Sequence, residues 1–359
     1  MVGKGDGSTI RRRSEPTSDS GPGAAPLDSF DLPAVLARLD DDDPEVRRAA
    51  VERVAATVEE RPAVCVPTVP KLRALLGSAS VDCHGDVAYC LAELAEESPE
   101  DVAPSVDAIV SFAVERAPHP ATPHVFRCLA AVAGERPDAV VDHVDPLADA
   151  LAAEAALDGR RWGVDAFSRL AREYPQEIEP AAPALADAVA DAPTVCGPPG
   201  LSALGRLARA SPTVSVEFVA EVTALLDHAD AAVRNNALGC LGDVAAHHPA
   251  AVEGACPDVA DALDDPDEKA RANAAVAVAR VAAGSESAVD PARERLRARL
   301  DDDHAPVRAN VCVALGHGRV EEARDRLEEL AADDPDPDVR ERAAWALSKL
   351  GRSEKREEA

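Results

Sequence analysis

The sequence predicts an all-α fold, a right-handed superhelical solenoid of about nine two-helix repeats, and three observations lead there. First, residues 39–54, LDDDDPEVRRAAVERV, return in altered form at 226–241 (LDHADAAVRNNALGCL), 263–278 (LDDPDEKARANAAVAV), 300–315 (LDDDHAPVRANVCVAL) and 333–347 (DDPDPDVRERAAWAL). Self-similarity at a near-fixed interval marks an array in which stacked units bury a continuous core. Second, apolar residues keep a helical period from 32 to about 350, and Gly and Pro fall too far apart to punctuate strands. Third, the chain is 46% apolar but only 3% aromatic. Its core must be Ala, Val and Leu, which suits close packing of helix on helix.

Taken in order, residues 1–31 are rich in Gly, Ser, Pro and Asp without apolar periodicity, and are expected to form a disordered tail. Residues 32–350 form the solenoid, and 351–359 are a charged C-terminal tail. Corresponding apolar positions in the second helix of each unit are Val54, Leu91, Leu129, Leu170, Leu207, Leu241, Val278, Leu315 and Leu347, at steps of 32 to 41 residues. Asp43, Asp230, Asp267 and Asp336 each stand four residues before an Arg, where an acceptor caps the free N–H groups of the second helix and complements its dipole. Pro44 and Pro337 suit the first turn, where no intrahelical bond is lost. Arg47, Arg234, Arg271, Arg308 and Arg340 then fall on one line and can bridge to the Asp of a neighbouring unit. Units three and five depart from this pattern: APHPATPH (117–124) and APTVCGPPG (192–200) replace the Asp turn, and Pro123 and Pro198 or Pro199 are expected to open the next helix.

The two-helix unit, its spacing and its Val-Arg pairs (Val46-Arg47, Val233-Arg234, Val307-Arg308, Val339-Arg340) resemble HEAT repeats, and the compact last units resemble the HEAT-like repeats of phycobilisome lyases. That resemblance implies an armadillo-like helical solenoid whose second helices line a concave face, and a scaffold or adaptor that binds a protein partner there. It does not carry bilin attachment with it, because no residue matches a motif for that chemistry. An alternative within the same resemblance is a HEAT-like enzyme or enzyme accessory with a prosthetic group or metal. The HEAT-like iron enzyme deoxyhypusine hydroxylase uses His-Glu pairs, and none of the nine histidines here is followed by Glu.

Charge narrows the partners. With 38 basic and 66 acidic residues, the formal charge of −28 opposes general affinity for nucleic acid or anionic membrane. The acidic, Arg-rich and Lys-poor composition resembles that of haloarchaeal proteins, in which salt at roughly 1 M shrinks the Debye length to about 3 Å and screens self-repulsion. Eight scattered cysteines without a CxxC pair suit reduced thiols, and no apolar run reaches the ~18 residues of a membrane span. A cytoplasmic protein is expected, with no cofactor and with its oligomeric state unassigned. The sequence holds no GxSxG, HExxH or phosphate-binding loop.

Two constellations stand out. Asp86 and Cys90, then His124 and Cys128, recur at a 38-residue step and could meet across neighbouring helices as a zinc set, although buried thiols are the commoner outcome. Arg160, Arg161, Arg169 and Arg172 lie around the second helix of unit four, and Arg206 and Arg209 on that of unit five. Arg169 falls over Arg206, and Arg172 over Arg209, at 37 residues. In so acidic a chain this basic face is the best docking site for an acidic peptide, a carboxylate or a phosphate. Local anion or nucleic-acid binding there is a weaker alternative, since a nucleic acid would need a longer basic groove. The arginines can instead pair with nearby carboxylates, with Asp243 and Arg280 continuing the column.

Overall fold

The computed structural model describes residues 30–350 apart from 117, 212, 214 and 215. The expectations for the two tails therefore lie outside the described residues. Among those residues the structure is helical throughout, without strands. Nine longer helices are Pro44–Val58, His84–Glu97, Thr122–Glu135, Leu157–Leu170, Pro193–Ala210, Ala231–Ala245, Glu268–Gly284, Ala305–His317 and Pro337–Leu350. Each packs on its counterpart in the next unit, so these second helices form one layer. The first helices, such as Leu32–Leu39, Val69–Gly77, Val106–Glu115 and Arg324–Asp333, form the other.

Small side chains let the second helices approach closely. In Glu268–Gly284, Ala274, Ala275, Ala277 and Val278 are fully buried against both neighbours. Gly316 faces the unit-nine helix so closely that a Cβ there would stand 2.9 Å from the Cα of Ala346. Larger residues fill the space between layers: Phe126, Phe167, Leu72, Leu94 and Ile178 are almost wholly excluded from water. Full burial of such a side chain stabilises by about 1.5–3 kcal/mol.

Pro123 opens the unit-three helix as its position suggests. Unit five differs. Its helix begins at Pro193, and Pro198 and Pro199 lie inside it. The carbonyls of Thr194 and Val195 consequently lack the N–H normally found four residues on. The helix starts also show that Leu91 and Leu129 sit about one turn earlier in their helices than Val54 does, and Leu170 and Leu207 about one turn later. A buried stripe repeats at every turn, so apolar spacing alone cannot separate successive turns.

Candidate functional site

The joints between units come first, because they determine which charged side chains are left over. Asp43, Asp230, Asp267 and Asp336 cap their helices through backbone N–H groups at 2.8 to 3.0 Å. They are not the carboxylates that the arginines reach across the interface. Those stand two residues earlier: Arg234 grips Asp265 with two parallel bonds (2.7 and 3.0 Å), Arg271 grips Asp302 (2.8 and 3.0 Å), and Arg308 grips Asp334 (2.9 Å each). Each arginine also donates to carbonyls of its own turn, as Arg308 does to Asp302 and Asp303. Among the described residues, the guanidinium groups of Arg47 and Arg340, in the first and last units, hold carbonyls of their own turns and no carboxylate.

The acceptor two residues before the helix cap is the more general device. Its side chain takes the N–H of the cap residue in units one, three, four and six to nine, through Asp41, His119, Glu154, His228, Asp265, Asp302 and Asp334. The hydrogen bond from Arg234 holds the Asp265 carboxyl below its ordinary range. Burial acts to raise Asp302 and Asp334, and the bonds from Arg271 and Arg308 more than offset it, so both also lie low.

Arg160 belongs to this joint and not to the open basic face. It stands four residues after its helix cap, like Arg234, donates to the carbonyl of Glu154 at 2.7 Å and reaches Asp191 at 2.5 Å. The one-turn shift of Leu170 conceals the correspondence in the sequence.

The Cys/His/Asp quartet is not assembled. Cys90 and Cys128 are buried and point to the backbone carbonyls of Val51 and Leu91, at 4.0 and 3.5 Å. Burial pushes the Cys128 thiol up to about 12 and raises that of Cys90 as well. His124 packs edge-on against Tyr89, with ring centroids 5.5 Å apart, and Asp86 is exposed. Among the described residues no group of three His, Cys, Asp or Glu is arranged to hold a metal ion. The helices place their thiols toward the preceding helix's backbone, the ordinary packing of a small apolar side chain.

The remaining arginines of the basic face divide further. Arg169 is neutralised by Asp165 one turn before it (2.9 Å), and Arg161 stacks over Trp162, 4.9 Å from the ring centroid. Arg209 leans toward Asp243 at 3.6 Å, but Asp243 is already held by Arg280 at 2.9 Å. The side chains of Arg172 and Arg206 make no hydrogen bond, ion pair or ring contact with any described residue. A groove of about 530 Å³ lies at the C-terminal ends of the second helices of units four and five, lined by Ala171, Arg172, Pro175, Arg206, Arg209 and Ala210. Gln176 ties its two sides by donating to the Ala210 carbonyl at 2.8 Å. A second hollow of about 240 Å³ adjoins it, sharing Arg206 and Arg209 and adding Ser202, Asn235, Asn236 and Asn273.

Asparagine amides continue along the same face. Asn273 donates to the Asn235 amide oxygen at 2.8 Å, and Arg342 donates to that of Asn310 at 2.7 Å. These inter-unit links were missed in the sequence, where their signal is the recurrence of Asn236, Asn273 and Asn310 at steps of 37 residues.

Two-helix units stacked in two layers, joined by an Asp-Arg turn, define a helical-repeat solenoid. Residues 32–59 match the family described as HEAT repeat, and residues 293–358 the family described as HEAT repeats. The same two-helix unit runs between these matches, so HEAT repeats are found at both ends of one continuous helical-repeat array. It is similar over 88% of its length to 88% of an engineered protein of known crystal structure, at 19% identity and a TM-score of 0.75. With 381 solved chains similar in fold, that likeness establishes architecture alone. No curated protein matches the chain in sequence. No helix among the described residues is long and apolar enough to cross a membrane. HEAT repeats build helical scaffolds that commonly carry protein interactions.

Proposed function

We propose that this chain is a non-catalytic scaffold that holds a protein partner along the face made by its second helices. The observation that carries the reading is the pair of adjoining grooves at units four to seven, with Arg206 and Arg209 as their shared wall. Arg234, Arg271 and Arg308 join units, whereas Arg172 and Arg206 leave charge open toward solvent beside a groove. The chemistry of the other ionisable groups supports a binding role. The joint carboxylates are pushed down, which opposes proton donation near neutral pH. Burial raises the thiols, which opposes formation of a nucleophilic thiolate.

The test is site-specific photo-crosslinking of the full chain in cells at native salt. A photoreactive residue at Asn236, on a second helix, is expected to trap a discrete partner, and one at Asp187, on the first helix Ala182–Asp191 of unit five, is not. Trapping from Asp187 and not from Asn236 would sink the proposal.

A further inference from the structure

We infer that the groove bounded by Arg172, Arg206 and Arg209 is a carboxylate clamp for an acidic peptide segment of the partner, with Asp243 as its built-in competitor. The inference rests on the reading of the second-helix face as the docking face and names the chemistry of what docks.

Charge complementarity selects the occupant. Three guanidinium groups line one groove in a chain of net charge −28, and two of them, Arg172 and Arg206, have no partner among the described residues. Two helix C-termini also face this region, each carrying roughly −0.5 charge within its last turn. With Asp243 included, about two units of negative charge face Arg172, Arg206, Arg209 and the Arg280 that holds Asp243, and the groove keeps a net attraction for anions. Its volume of about 530 Å³ is that of a ligand cleft, and its remaining walls, Ala171, Pro175 and Ala210, are small and apolar. Planar guanidinium forks meet carboxylates through paired N–H···O bonds. A nucleic acid strand would require stacking platforms and a long basic track, and neither groove has an aromatic residue in its lining.

Asp243 gives the site its second property. It is shared unequally, with Arg280 at 2.9 Å and Arg209 at 3.6 Å. The weaker of these two attachments is to the arginine that also lines the groove. A ligand carboxylate reaching Arg209 competes with Asp243 for it, while Arg280 continues to neutralise Asp243. The intramolecular carboxylate thus weakens ligand binding, and removing its charge strengthens it.

The experiment is fluorescence anisotropy of a labelled, N-acetylated hexaglutamate peptide with the full chain, in low and high salt. Wild-type protein is expected to bind, more weakly as salt rises. Arg206→Glu and Arg172→Glu should each weaken binding at least tenfold, the scale of losing a charge-assisted pair, and Arg206→Gln should weaken it less. Asp243→Asn should tighten it several-fold. Arg61→Glu, which changes an exposed arginine of unit two, should leave it unaltered. Circular dichroism melts establish that each variant is folded.

Binding insensitive to Arg206→Glu and Arg206→Gln overturns the clamp, as does tighter binding of a single-stranded oligonucleotide of equal charge through the same arginines. Weaker binding by folded Asp243→Asn overturns the competitor. A partner footprint that stays on the second helices and survives Arg172→Glu and Arg206→Glu unchanged overturns the clamp while leaving the scaffold reading intact. A footprint on the first helices alone overturns the scaffold reading itself.

Discussion

Replacing Arg308 by Ala tests the joint where its geometry is most complete. Arg308 is 11% exposed and Asp334 3%, and the pair is joined by two bonds of 2.9 Å. The same guanidinium donates to the Asp302 carbonyl at 2.7 Å. Truncation leaves a buried carboxylate without its counter-charge, a change that costs about 3–5 kcal/mol in protein interiors. Asp334 keeps one bond from the Asp336 N–H, at 2.9 Å. The loss therefore falls at the low end of that range, about 3 kcal/mol. Stability in a stacked array is a sum of unit and nearest-neighbour terms, so the loss is confined to the interface of units eight and nine and its surroundings. At about 1.4 kcal/mol per factor of ten, amide exchange in residues 321–350 should accelerate about 100-fold. Hydrogen exchange with mass spectrometry on the full chain reads this directly. Arg326→Ala is the control: its pair with Asp301 is 41% and 67% exposed, and such surface pairs contribute about 0–1 kcal/mol. Equal loss of protection along the whole chain, or unchanged exchange in 321–350, would refute the reasoning.

Other outcomes follow from the same geometry. Asp265, Asp302 and Asp334 have depressed folded-state pKa values, so their stabilisation is complete above the ~4 of an unfolded Asp and is lost as pH falls through the depressed values. Acid titration followed by hydrogen exchange should therefore open units six to nine progressively below about pH 4, and the deficit of Arg308→Ala should narrow in the same window. Gly316→Ala should destabilise the last two units by about 1–3 kcal/mol, since its methyl meets Trp345 and the Ala346 backbone; urea unfolding measures the change. All eight cysteines are buried, so a thiol reagent at pH 8 should label the native chain slowly and the urea-unfolded chain fully. Rapid native labelling of Cys90 or Cys128 would contradict their placement.

The repeating joint was legible in the sequence because it needs particular residue types at fixed offsets: an Asp cap, a Pro in the first turn and an Arg four residues after the cap. Which carboxylate the Arg reaches was not. The turn before Lys269 offers Asp264, Asp265 and Asp267, and only the path of the turn sends Asp265 to Arg234 while Asp267 caps the helix. Arg160 was hidden for a related reason, since Glu154 and Asp191 replace the Asp turns and apolar spacing slips by whole turns without penalty. The start of the unit-five helix was misplaced because Pro193, Pro198 and Pro199 are all residues that can open a helix. At the basic face, the 37-residue step pairs Arg169 with Arg206 and Arg172 with Arg209, whereas the structure gathers Arg172, Arg206 and Arg209 around one groove and turns Arg169 back toward Asp165 and Gly134. Only side-chain geometry divides the arginines that Asp165 and Asp243 engage from the two left open.

The central claim is that a partner lies on the second helices around Arg206. Its most direct test is the hydrogen-exchange footprint of the chain bound to a partner captured at native salt. Slowed exchange in Pro193–Ala210 and Ala231–Ala245, with Ala182–Asp191 and Val219–Thr223 unchanged, is the expected result. Slowed exchange confined to those first helices would contradict it.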